Sequence, residues 1–205
     1  MSKPNQVRGI VGYMAMNPAR IKKLANALEA QLAVASPAAV KLCQTILGKA
    51  QPHKSSLSDC LKALENGGAP ALDDETATQL ALLALVSDAL ENSTALVQAA
   101  EVEIVRLFSE ILKERHGGGT IELRVPPVMA VQLASSEGGP RHTRGTPPNV
   151  AETSPHVFLE LAFGIRTWPE ARTTFAVHAS GSHVDEIDQM FPITTWGAIA
   201  RVQTV

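Results

Sequence analysis

The chain has 205 residues, 45% of them hydrophobic, and a formal net charge of −2, which suits a folded core of one large or two small domains. Its longest apolar runs, such as Leu80 to Val86, fall far short of the roughly 20 residues that span a bilayer, so no transmembrane helix is expected. Two cysteines, Cys43 and Cys60, make neither a disulfide framework nor a four-ligand zinc site.

Lys3 and Arg8 precede the apolar run Gly9 to Met16, but that run is short and no clean cleavage site follows, so it reads as mature protein in a reducing cytoplasm. Charge is uneven. Residues 1–54 hold eight Lys/Arg against Glu29 alone, leaving ten basic and nineteen acidic residues beyond. The lysines are spread over helix faces with no interleaved aromatics, which favours a solvated face over a nucleic-acid or anionic-lipid footprint.

Ile21, Leu24, Ala25, Leu28 and Leu32 recur three or four apart and predict an amphipathic helix. Ser36-Pro37 opens a second, carrying Val40, Cys43, Ile46 and Leu47 and ending at Gly48 or Gln51-Pro52. A third runs from about Ser56 to Glu65, before Asn66-Gly67-Gly68 and Pro70. Asp73 and Asp74 cap an Ala/Leu/Glu-rich stretch to about Arg115, either two helices broken at Glu91-Asn92-Ser93 or one bent one, stopped by His116-Gly117-Gly118-Gly119.

There the period changes. Thr120, Ile121, Leu123 and Val125 alternate as in a strand up to Pro126-Pro127; Val128 to Leu133 reads as a second strand and Asn149 to Thr153 as a third, beyond a turn-rich stretch 135–148. Ser154-Pro155 opens a helix with Val157, Phe158, Leu161 and Ala162, closed by Gly164, and Thr167-Trp168-Pro169-Glu170 is a capping box. Phe175 to Ala179 predicts a strand, and Ser182 with Asp185 a cap for a last helix through Ile187 and Met190, before Pro192.

The strings ELRVPP, GPRHTRGTPPNVAET, FLELAFG, TWPEA, VHASG and VDEI resemble the bacterial sterol carrier family found in actinobacteria, over roughly residues 103–193. The resemblance implies an α+β fold, a mixed sheet packed with helices; the helical pattern before it makes 1–102 a helical N-terminal region, and 194–205 is a tail beyond the resemblance. It also implies an apolar pocket between sheet and helices for a fatty-acyl or sterol-like ligand. Four strand candidates are fewer than a full sterol carrier sheet, and the tail extends past the recognised part.

Arg141, His142 and Arg144 lie in a stretch stiffened by Gly139, Pro140, Gly145 and two further prolines; their donors suit a carboxylate or phosphate head group, or else tie the loop to Glu152, Glu122 or helix carbonyls. Val131, Phe158, Leu161, Trp168 and Phe175 are the large apolar residues that would line any pocket, or simply form core.

Of six histidines, His53 and His116 fall in the helical half without partner spacing, and His178, His183 and Asp185 around Gly181 give only a weak metal signal; no metal or cofactor is expected. Thiol-dependent isomerases that join a metal-binding helical bundle to a sterol-carrier-like domain resemble this layout, but this bundle lacks their histidines. No nucleophile elbow or phosphate loop occurs. The expectation is a non-enzymatic protein binding a lipid or acyl ligand. The alternative is an interaction module with a closed pocket that meets a protein partner through its basic helices or an exposed Trp196 tail.

Overall fold

The computed structural model describes residues 18–52, 54–135 and 149–204. Five helices come first: α1 (Pro18–Leu32), α2 (Pro37–Gly48), α3 (Leu57–Glu65), α4 (Asp74–Glu91) and α5 (Gln98–His116). Side-chain caps set their starts where the sequence offers them. Ser36 Oγ accepts from the Ala39 amide, Ser56 from Asp59 and Asp73 from Thr76, each satisfying a first-turn N–H. The stretch up to Arg115 is two helices, with the break at Asn92-Ser93.

α4 is apolar on nearly every side. Its residues from Leu80 to Leu90 are all buried, because α1, α2, α3, α5 and the C-terminal α8 (Trp196–Ala200) pack around it. α1 places Leu24, Ala27 and Leu28 inward, and Gln31 ties its end to the chain before α5 by donating to Ala95 O (2.9 Å) and accepting from the Val97 amide (2.8 Å).

The sheet follows: β1 (Gly117–Val125), β2 (Met129–Leu133), β3 (Asn149–Thr153) and β4 (Val177–Ser180), in the order β2-β1-β3-β4. β1 pairs antiparallel with β2 and parallel with β3, and β3 pairs antiparallel with β4, so the sheet is mixed, as the resemblance implies. One face (Ile121, Leu123, Val125, Val131, Leu133, Ala151, Val177) is buried against helices. The other carries the row Ala130, Arg124, Glu152, His178, one residue per strand, and Glu152 and His178 are exposed.

α6 (Pro155–Ala162) and α7 (Trp168–Thr173) lie between β3 and β4, and a 3-10 segment, Val184–Met190, follows β4. The capping box at Thr167 is formed, with Glu170 Oε2 accepting from the Thr167 amide at 2.8 Å. Buried apolar residues from α1 through α8 and the sheet belong to one continuous core, and α5 runs unbroken through Val102-Glu103, where the sequence suggested a domain boundary.

Four details differ from the sequence reading. β1 starts at Gly117 rather than Thr120: α5 enters the sheet directly, and Gly118 lies so close to Ala134 that a Cβ would stand 2.5 Å from its backbone. β4 starts at Val177, because Phe175 (φ 56°) closes the turn after α7. The last helix is a 3-10 segment whose Ncap is His183; Asp185 instead accepts from Trp168 Nε1 at 2.8 Å.

The fourth concerns the tail, which folds back on the helical layer instead of presenting an exposed Trp196. Ile199 and Val202 are fully buried, Trp196 packs partly against the core, Arg201 donates to Leu64 O and Glu65 O, and Lys49 Nζ donates to Val202 O. No helix among the described residues is long and apolar enough to cross a membrane.

Candidate functional site

Four of the predicted lining residues are buried in the core and one is not. Val131 on β2, Phe158 and Leu161 on α6 and Trp168 on α7 are all buried in the common core. α6 forms because Ser154 caps the Val157 amide with Pro155 in the first turn, and its apolar side faces inward. Phe158 meets Phe108 of α5 edge-on (centroids 6.4 Å) and Phe191 in the same way (6.1 Å), while Phe108 meets Phe163 at 5.1 Å. Trp168 keeps its one polar atom satisfied through Asp185, which also pairs with Arg172 Nε at 3.2 Å.

Phe175 is the exception. It is 79% exposed, because the left-handed turn after α7 takes it out of the sheet–helix interface, so it lines no core pocket. Arg141, His142 and Arg144 lie outside the described residues, but the two ends of their segment are described, and they carry a polar cluster that the sequence reading missed.

Ser135 Oγ, just beyond β2, donates to the Glu186 carboxylate (2.8 and 2.7 Å). Glu186 also faces His183 Nδ1 at 2.7 Å. Asn149, the first residue of β3 and buried, donates to Thr120 O (2.9 Å) and accepts from the His183 amide (2.9 Å). The cluster thus ties the ends of β2 and β3 to the 3-10 segment. His183 entered the sequence analysis only as a weak metal ligand; the Glu three residues on, at i,i+3 spacing, was the available signal for its true partner.

Chemically the order is hydroxyl, carboxylate, imidazole. A nucleophilic relay needs the imidazole beside the hydroxyl to take its proton, and here the carboxylate stands between them. Among the described residues no group of three or more His, Cys, Asp or Glu could hold a metal ion. Cys43 and Cys60 are buried free thiols, raised by burial to about 11 and about 12, far from the reactive thiolate range.

A shallow groove of about 460 Å³ lies between α1 and α5, lined by Lys23, Asn26, Gln98, Val102, Glu103 and Arg106 among others. Of its two cations, Lys23 and Arg106, Arg106 is paired with Glu103 at 2.6 Å, and nearby Arg20 of α1 bridges to Glu110 of α5 at 2.6 Å.

Residues 98–193 match the family model described as "Bacterial SCP ortholog", SCP being sterol carrier protein. This stretch is a bacterial sterol carrier domain. It opens on Gln98, the first residue of α5, so the matched stretch includes the helix that meets β1 without a loop, a helix that also packs on α1 and α4. The sheet, the ring cluster around Phe158 and the Ser135–Glu186–His183 cluster all fall inside it. The groove straddles its edge, with Lys23 and Asn26 outside. No curated protein matches the chain.

Proposed function

We propose that the chain is a non-enzymatic carrier of the sterol carrier family that takes a small apolar or acyl ligand between the buried face of the sheet and helices α5 to α7, in the cytoplasm. The observation that carries the reading is the family match over 98–193, laid on a sheet–helix interface built from large apolar side chains (Val131, Phe108, Phe158, Leu161). Such an interface recognises a ligand by area rather than by hydrogen bonds, as an acyl chain or sterol body requires. The two free buried thiols suit a reducing compartment.

Loading has to move α6 from its neighbours, because Phe158 and Leu161 are closely packed (0 and 1% exposed), Phe158 against Phe108 of α5 and Phe191. The same close packing favours a second reading, an interaction module whose pocket has closed. Trp168 distinguishes the two. In a Trp196→Phe chain it is the sole tryptophan, and titration with a fatty acid below its micelle concentration should shift its emission saturably. Emission that stays constant while the acid remains free in solution contradicts the carrier and leaves the closed module.

A further inference from the structure

Among the described residues, four helices end in the same hydrogen-bonded turn, in which the residue after the cap adopts a left-handed backbone and its amide and the next one bond back into the last turn. After α3 the left-handed residue is Gly67 (φ 75°), with Gly68 N–H bonding Ala63 O; after α4 it is Ser93 (φ 51°), with Thr94 bonding Ala89 O. After α6 it is Gly164 (φ 73°), with Ile165 bonding Glu160 O. After α7 it is Phe175 (φ 56°): its amide bonds Arg172 O at 3.2 Å and Ala176 bonds Ala171 O at 2.9 Å.

Glycine suits this position because a Cβ there crowds the following carbonyl. Phe175 bears that strain with a bulky ring, and leaves the ring 79% exposed. The fold loses on both counts, where Gly or Ser serves the other three turns.

We propose that Phe175 is the point at which this protein inserts into the surface of an uncharged, zwitterionic lipid bilayer. The other exposed large hydrophobic residues among those described, Ile165 and Val34, are each about half as exposed (39% and 43%), so Phe175 is the principal apolar anchor. A stable protein interface takes roughly 800 Å² from each partner, several times what one phenyl ring supplies. A bilayer surface requires no shape match and accepts a single ring at headgroup depth, framed by polar residues. Exposed Thr173 and Thr174 supply that frame. Among the described residues the neighbouring arginines are paired, Arg166 with Glu160 (2.7 Å) and Arg172 with Asp185 (3.2 Å), which favours an uncharged lipid surface over an anionic one.

This surface is where a carrier would collect its ligand, and to that extent the role rests on the proposed function; the binding test does not. Sedimentation with phosphatidylcholine vesicles should show binding that is insensitive to salt, about tenfold weaker in Phe175→Gly and retained in Phe175→Trp, whose emission shifts to the blue with vesicles. Glycine suits the turn, so loss in that variant is not unfolding. Equal binding by wild type and Phe175→Gly, or no binding by wild type, overturns the proposal. Vesicle-free wild type that self-associates only with Phe175 intact replaces it with a protein contact. Fatty-acid loading, measured without vesicles, should be unchanged in Phe175→Gly; loading that fails while vesicles still bind sinks the carrier reading alone.

Discussion

Phe175 and Asn149 show how single residues reveal their roles by what they cost. Replacing Phe175 with glycine removes a left-handed Cβ, worth about 1–2 kcal/mol, against about 0.5–1 kcal/mol of added chain entropy, so thermal melting should show a chain as stable as wild type or up to about 1 kcal/mol more stable. A loss of stability would mean that the ring packs on something. Asn149 acts in the opposite sense. It is buried and bonds both Thr120 O and the His183 amide, so Asn149→Ala strands both partners and should cost about 2–3 kcal/mol in urea unfolding.

His116 lies in the last turn of α5, and burial first, then Arg115, lowers its pKa below the ordinary 6.5. The folded state therefore disfavours the proton that the unfolded chain takes up. Its contribution to stability is complete above pH 6.5, the unfolded value, and is lost as pH falls below that through the lower folded-state pKa. The melting temperature of His116→Gln should drop less than wild type between pH 7.5 and 5.5, and equal drops would contradict this assignment.

At the scale of elements, the caps were legible because each is a local event: Ser36-Pro37, Asp73, Ser154-Pro155 and Thr167-x-x-Glu170 satisfy their own first-turn amides, and the structure has each of them. What escaped depends on residues distant in sequence. The early start of β1 is set by Ala134, sixteen residues beyond Gly118, and the late start of β4 by a turn that usually announces itself with glycine and here does not. Gly118→Ala should cost about 1–3 kcal/mol, because its Cβ meets the backbone of Ala134 and not a side chain that can swing away. Circular dichroism melts of that variant, against Gly48→Ala where a Cβ meets nothing, separate crowding from glycine's ordinary entropy.

For the candidate site, the apolar half was legible from composition, since with few rings in the chain Phe158 and Trp168 had to be inside. The polar half was not, because Ser135, Asn149, His183 and Glu186 meet only after β2, β3 and the 3-10 segment are placed.

Over the whole molecule, the sterol carrier domain and the helices before it share one core, and the tail clamps both ends together. Ile199 is fully buried on α8, which packs on α3 and α4, so Ile199→Ala should cost about 2–5 kcal/mol and lower a single unfolding transition rather than release a separate tail. The sequence divides at the change from helical to alternating period, whereas the core does not divide there, because α4 offers apolar surface on every side and recruits α8 from the far end of the chain.

The central claim, that this sheet–helix interface holds an apolar ligand, is tested most directly by native mass spectrometry of freshly purified protein, followed by denaturing extraction and lipid analysis. The account predicts a co-purifying acyl or sterol-like species at one per chain, or its uptake on incubation with mixed lipids. A clean apo mass that no lipid changes would contradict it.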